Sequence, residues 1–444
     1  MSRFDALARS LERNRITRRQ ALWLLGAGTA ALSGCAASPV TGKTILVGMS
    51  EAQEKLADAQ VAPHQFSQDL GAIQDETVNR YVAELGKRMG GLTHRPLMPY
   101  SYRVLNANYV NAYTFPGGAM GITRGILAEL DDEAQLAALL GHELGHVNAR
   151  HAAQRQGQSL IAQAALAGLN VAAQDSNWGG VMAIGGQIGA SALLASYSRE
   201  HEREADALGQ DYLVKAGYPA TGMVRLHQLL VDEEKAAPSL LRTMFSTHPM
   251  SHERMQAAQA AADNQYRISN SQDARRERFM DSTASLRRIR PTINACKNGE
   301  TAMAAKQYTA AQVEFESAIA KTPRDYASNL RMAQCLQAQG ETGRAGTYAS
   351  VAREIYPQEA QAHKLSGVLA LQQRDPGSAF EHLDRFDRLL PGDAGTTFLK
   401  GIALEGIGNR QAAAQHYLAY LRQSQQGNAA QYSYSRLKAW GVVK

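Results

Sequence analysis

Pro323, Pro357 and Pro391 stand 34 residues apart, and other positions keep the same spacing. Aligned on the prolines, Ala311, Ala345, Ala379 and Ala413 fall in one column, and Gly299, Ala333, Gly367 and Gly401 in another. Small residues at a fixed place in each unit let two helices approach closely, and proline, which lacks an amide hydrogen, ends the second helix. Such a unit cannot bury its apolar face alone, so it must stack on its neighbours. Four units are expected over 292–427, and the tail NAAQYSYSRLKAWGVVK is suited to a capping helix over 428–444. In a chain of 444 residues this array leaves room for a separate module ahead of it.

That module contains LLGHELGHVNARH, Leu139 to His151. The acidic run Asp131-Asp132-Glu133 favours a helix start just before it. On a helix, His142 and His146 are one turn apart and share a face, so their imidazoles can converge on one ion. Glu143 can reach a water bound to that ion. Zinc hydrolysis needs this division of labour: two neutral histidines, a third protein ligand, an open fourth position and a carboxylate base.

HExxH alone is only moderately specific, so the third ligand decides the class. A further histidine six residues after His146 would be one solution, but that position is Ala152. Downstream, YSREHEREADALG offers Glu202, with Asp206 one helical turn later. Glu202 can ligate, while Asp206 can accept a hydrogen bond from a liganding imidazole and fix its tautomer. Alone, Glu200, Glu202 and Glu204 would read as a solvated acidic face. Beside HELGH, a His-His-Glu site is expected, holding one Zn2+ per chain.

HELGHVNARH, the pattern Tyr-Ser-Arg followed by Glu-x-x-Ala-Asp over 197–206, and NAYTFPGG at 111–118 together resemble the M48 family of zinc metalloproteases. The 34-residue units resemble tetratricopeptide repeats. The resemblance implies a mainly α fold with a small β-sheet (α+β) for the metallopeptidase domain, over 51–265, followed by an all-α repeat solenoid. It implies zinc on His142, His146 and Glu202, with Glu143 as catalytic base. It also implies that Asn111, Ala112 and Tyr113 form a strand edge along which a peptide substrate lies. Joined to Leu32-Ser33-Gly34-Cys35, which resembles a lipobox, and to the repeat tail, the combination resembles the β-barrel assembly-enhancing class of periplasmic proteases. That implies unfolded or misassembled outer-membrane proteins as clients, and a repeat array that binds clients or the β-barrel assembly machinery. A chaperone or adaptor whose repeats do the main work, with a largely silent protease, is the alternative.

One histidine stands apart from these motifs. In STHPMSHERM, His248 precedes Pro249, a rigid turn. It is either a plain surface or core histidine or a residue that fills the fourth zinc position in a resting state, as a gate.

The N-terminus accounts for most of the charge. Residues 1–34 carry six arginines against Asp5 and Glu12, four of the chain's net six positive charges, so little electrostatic case for nucleic acid remains. A basic start followed by ALWLLGAGTAAL, too short to span a bilayer, reads as an export signal, by either the Sec or the twin-arginine route. Leu32-Ser33-Gly34-Cys35 resembles a bacterial lipobox, which implies an acylated Cys35. With Ala36 following the cysteine, that resemblance implies anchorage at the outer membrane, facing the periplasm.

Residues 35–50 are then expected to be a tether, and a helical stretch follows near Ser50 to Met89. Short strands around a turn are expected in YSYRVLNANYVNAYTFPGGAMGITRGIL. Residues 158–195 read as a pair of small-residue helices. An Arg-rich linker over 266–291 presents either a solvated face or a surface for lipid phosphates. Cys296 and Cys335 form either a disulfide or two core thiols.

Overall fold

The computed structural model describes residues 34–160, 196–236, 248 and 252–444. It is mainly helical, with a small sheet in the N-terminal module and paired helices behind it. Residues 1–33 of the expected export signal and 161–195 of the small-residue helices expected over 158–195 lie outside the described residues. Among the described residues no helix is long and apolar enough to cross a membrane.

The expected tether is folded. Strand β1 (Cys35–Ala37) pairs antiparallel with β2 (Thr44–Leu46), and the amide of Gly48 donates to the carbonyl of Ala153 at 2.7 Å. Val47 and Met49 are buried beside Phe66 and Phe115. The reason is an alternation of apolar residues at Ile45, Val47 and Met49, which turns one side of an extended segment toward the core. Cys35, exposed, opens β1.

The helical stretch expected near 50–89 is two helices, α1 (Glu51–Gln68) and α2 (Glu76–Gly90). Ser50 and Gln53 form a reciprocal capping box at the start of α1, and Asp75 caps α2. Between them Leu70 and Gly71 are left-handed, with φ of 69° and 70°. Leu70 is buried in a cluster made otherwise of repeat residues, which holds it in a conformation unusual for leucine.

Strands β3 (Ser101–Leu105), β4 (Ala112–Thr114) and β5 (Ala119–Thr123) form a sheet of order β3-β5-β4, with β3 parallel and β4 antiparallel to β5. Gly118, at φ 99°, closes the β4–β5 turn. The short α3 (Arg124–Leu127) leads to α4 (Glu133–Asn148), which carries HELGH and is buried along its whole length. Asp132 caps α4 by accepting the amide of Gln135 at 2.9 Å, where the acidic run pointed. Helices α5 (Arg199–Lys215), α6 (Thr221–Ala236) and α7 (His252–Asp263) complete the surroundings of α4.

The expected Arg-rich linker is packed against the same core. In α8 (Arg276–Ser282) and α9 (Ala284–Arg288), Phe279 and Leu286 are buried with α4 residues. Arg275 and Arg278 reach the buried Glu133, Arg276 and Arg287 donate to the carbonyls of Asp131 and Leu130, and Arg290 pairs with Glu129. These arginines compensate acids at the start of α4 and just before it, acids that meet them only through tertiary folding.

Four helix pairs follow: α10 (Arg290–Ala304) with α11 (Tyr308–Lys321), α12 (Tyr326–Ala338) with α13 (Thr342–Ile355), α14 (Ala360–Gln372) with α15 (Pro376–Leu389), and α16 (Ala394–Ile407) with α17 (Arg410–Gln423). Helix α18 (Asn428–Ala439) covers the end. The small column and a large one complement each other: Gly299 lies against Phe315, Gly367 against Leu383 and Gly401 against Tyr417. Cys296 and Cys335 are buried free thiols, the first 3.1 Å from Ser328 Oγ and the second donating to the carbonyl of Tyr308 at 3.3 Å.

Candidate metal centre

Helices α4 and α5 meet almost backbone to backbone. A methyl group on Gly145 would stand 2.7 Å from the carbonyl oxygen of Ala205, and one on Gly209 2.7 Å from the amide nitrogen of His142. That approach brings Glu202, in the first turn of α5, across from His142 and His146. Ser198 caps α5 by accepting the amide of His201 at 3.2 Å.

Four side chains converge here. His142, His146, Glu202 and His248 are all buried and offer donor atoms within 4.8 Å of one another. The separations are 3.1 Å between the Nε2 atoms of His142 and His146, 3.4 Å from His146 Nε2 to Glu202 Oε1, and 3.6 Å from His142 Nε2 to Glu202 Oε2. His248 Nδ1 lies 3.1 Å from Glu202 Oε1 and 3.3 Å from His142 Nε2. A tetrahedral zinc ion with bonds of about 2.0–2.1 Å spaces its donor atoms about 3.3 Å apart. The residues therefore fit a single small cation, and their N3O donor set suits zinc.

Glu143 stands beside this cluster. Its Oε1 is 3.8 Å from His248 Nε2, and its buried Oε2 has no hydrogen-bond partner among the described residues. Burial raises its pKa, against the pull of His248 and His142. Burial also holds His146 well below the usual imidazole range, which keeps its lone pair available. For Glu202 burial acts upward, but His248 and His146 together outweigh it and the carboxyl is held strongly ionised.

Asp206 lies one turn after Glu202 on α5. Its Oδ1 is 2.9 Å from His142 Nδ1, so the imidazole donates there and turns Nε2 toward the cluster. Three residues around Asp206 and His146 are not marked out by the sequence reading. Arg254 makes two hydrogen bonds to Asp206, at 2.6 and 2.8 Å, and an ion pair with Glu202 at 2.8 Å. His227 Nε2 lies 3.3 Å from Asp206 Oδ1. Tyr197 stacks on His146, with ring centroids 4.0 Å apart. Tyr197 was within the quoted Tyr-Ser-Arg pattern and Arg254 within STHPMSHERM. His227 sits in an unremarkable helix face, where no local signal marks it.

The proposed substrate strand lies at a sheet edge. Thr123 N donates to Asn111 O and Phe115 N to Ala119 O, so alternation directs the main-chain groups of Ala112 and Thr114 away from β5. Asn111, Ala112 and Tyr113 are themselves buried, and β4 packs against α4. Tyr113 donates its hydroxyl to Asp69 at 2.5 Å.

Comparison with known proteins follows the same division. Residues 76–262 match peptidase family M48, and residues 302–369 match the tetratricopeptide repeat. The chain is 31% identical over 188 residues to the "Putative beta-barrel assembly-enhancing protease" of Vibrio cholerae, covering 41% of this chain and 39% of that protein. It is 26% identical over 227 residues to the beta-barrel assembly-enhancing protease of Escherichia coli K12, covering 50% of this chain and 45% of that one. Metalloprotease YcaL of Escherichia coli K12 is 29% identical over 212 residues, covering 47% of this chain and 79% of that one. The chain thus spans less than half the length of the first two relatives.

Proposed function

With residues 76–262 forming a peptidase family M48 domain and tetratricopeptide repeats behind it, we propose that this chain is a lipid-anchored periplasmic zinc endopeptidase acting in outer-membrane protein assembly and quality control. The observation that carries the reading is the set of donor separations, 3.1–3.6 Å among His142, His146, Glu202 and His248, with a Glu143 oxygen beside them that has no hydrogen-bond partner among the described residues.

His142, His146 and Glu202 would hold the zinc, which when bound supplies Lewis acidity and brings the pKa of its water to about 7. Glu143 removes a proton from the attacking water and delivers it to the leaving amine. Its buried position and raised pKa suit both roles. The edge of β4 that faces away from β5 carries the main-chain donors and acceptors of Ala112 and Thr114. They would align an extended peptide with little regard to its side chains, as suits unfolded clients. The names of the relatives support the assignment to β-barrel assembly, and the signal-like start with Cys35 supports export and anchoring.

One observation favours the second reading, a client-binding chaperone or adaptor with a largely silent protease. His248 stands where the nucleophilic water would sit, and a zinc site with four protein ligands is closed. The two readings part on Glu143→Gln. In the first, this variant retains zinc, loses cleavage of an unfolded protein by about 100-fold or more, and fails to complement a deletion strain's envelope defect. Full complementation by an inactive, zinc-loaded Glu143→Gln chain overturns the protease reading in favour of the adaptor.

A further inference from the structure

His142 and His146 are oriented by different chemistry. His142 has the carboxylate of Asp206 on its Nδ1. His146 has another imidazole: its Nδ1 lies 2.9 Å from His151 Nδ1. His151 Nε2 in turn lies 3.2 Å from Glu204 Oε2, on the first half of α5.

The proton positions in this chain are forced. If His146 turns the Nε2 lone pair toward the cluster, its hydrogen is on Nδ1 and that atom donates. The atom that receives, His151 Nδ1, must then be bare. The remaining hydrogen of His151 therefore sits on Nε2, the atom aimed at Glu204. Glu204, about a third exposed at its side chain, accepts as a carboxylate should. The opposite tautomer would set hydrogen against hydrogen between the imidazoles and leave Glu204 facing a lone pair.

The surroundings hold this alignment. His151 is fully buried and stacks on His201, ring centroids 4.2 Å apart at 19°. It is brought under α4 by Arg150, a left-handed residue at φ 60°. The Arg150 guanidinium donates to the buried Glu54 at 2.8 Å and to the carbonyl of Met49 at 2.8 Å, which fixes the bend.

We propose that His151 is a positioning residue: it accepts the hydrogen of His146 Nδ1, with Glu204 fixing its own tautomer, and so aims His146 Nε2 at the metal. This rests on the metal-centre reading above, and it assigns a task to the last residue of HELGHVNARH. A neutral acceptor orients His146 without a second anion directly behind the ligands. The site already holds Glu202, Glu143 and Asp206 against Arg254.

Zinc affinity of the full chain, measured by chelator competition, tests it without recourse to activity. His151→Phe retains a ring for the stack on His201 but has no acceptor. Zinc affinity should fall about 10- to 100-fold. His151→Asn sets its amide oxygen about where Nδ1 stands and should restore most of that loss. Glu204→Ala, at a partly exposed position, should weaken zinc by a smaller factor and serves if the Phe variant fails to fold. Wild-type affinity in His151→Phe, or equal losses in the Phe and Asn variants with undisturbed metal-free folds, overturns the proposal. Wild-type chain that holds no zinc overturns the metal-centre reading itself, a result that the variant series cannot mimic.

Discussion

Arg124, immediately after β5, grips Asp325 at the head of the second repeat through both terminal guanidinium nitrogens, at 2.5 and 3.0 Å. Arg124 is 1% exposed, and Asn108 Oδ1 accepts from its Nη2 and Nε at 2.7 and 2.9 Å. Asp325 also caps α12 through the amide of Ser328. The pair therefore ties the strand that precedes the metal-site helix to the repeat array. Around it, Lys297 pairs with Glu129 at 3.2 Å, and Asn108 donates to Glu300 at 3.1 Å.

Breaking a buried pair from one side leaves an uncompensated charge, at a cost of about 3–5 kcal/mol. Arg124→Met should thus lower the urea midpoint and separate the unfolding of the repeats from that of the peptidase module. Arg124→Met with Asp325→Leu should recover much of the loss. A single variant with an unchanged midpoint would mean that the two modules are held by their apolar contacts alone.

A second expectation concerns the spacing of α4 and α5. Gly209→Ala places a methyl 2.7 Å from the His142 amide nitrogen, backbone that cannot swing aside. The helices must part, which should cost about 1–3 kcal/mol and move Glu202 away from the histidines. Zinc content after dialysis should fall along with stability. If Gly209→Ala retained full zinc, Glu202 would not depend on this close approach.

How far the sequence reveals this arrangement depends on how local each signal is. The start of α4, the shared face of His142 and His146, and the repeat columns are legible because periodicity and capping act within one or two turns. The pairing of Gly299 with Phe315, or Gly401 with Tyr417, follows from the same 34-residue period. Other features need contacts between distant segments. Leu70 ends α1 in a left-handed turn because the repeats enclose it, and nothing in residues 50–89 announces that. The arginines of 275–290 look like a solvated run until Glu129, Asp131 and Glu133 are seen opposite them. Arg254 and His227 join the site only because α6 and α7 fold against α5. The parallel pairing of β3 with β5 likewise depends on a crossover that alternation does not reveal.

Asp58 provides a test against pH. It accepts the amides of Gly117 and Ala119 at 2.7 and 2.8 Å, yet burial raises its pKa to about 6, with the charge of Glu54 acting in the same direction. In the unfolded chain the value is about 3.9. The folded state thus binds the proton more tightly, and this group's stabilisation, complete below about pH 4, is lost as pH rises to about 6. At most about 3 kcal/mol is at stake, since one pKa unit is about 1.4 kcal/mol. Asp58→Asn fixes the group neutral, so wild type should lose stability relative to this variant between pH 4 and 7 in the metal-free protein. Parallel stability curves would remove burial as the dominant influence on Asp58.

His248 carries the last expectation. Its Nδ1 is 3.1 Å from Glu202 and 3.3 Å from His142 Nε2, and its Nε2 faces Glu143 at 3.8 Å, so one imidazole occupies the space between ligands and base. A water that attacks a peptide carbonyl needs that same space. The imidazole and the water are therefore mutually exclusive, so cleavage would require a second state in which His248 has moved aside. If the closed state dominates by about 100 to 1, removing the imidazole should raise basal cleavage of an unfolded protein by up to about 100-fold, while a client that favours the open state would do the same in wild type. His142, His146 and Glu202 remain in His248→Ala, enough to retain zinc at about one ion per chain. Proteolysis assayed at matched zinc loading distinguishes the roles. A rise identifies His248 as a gate, whereas a fall makes it a substrate contact.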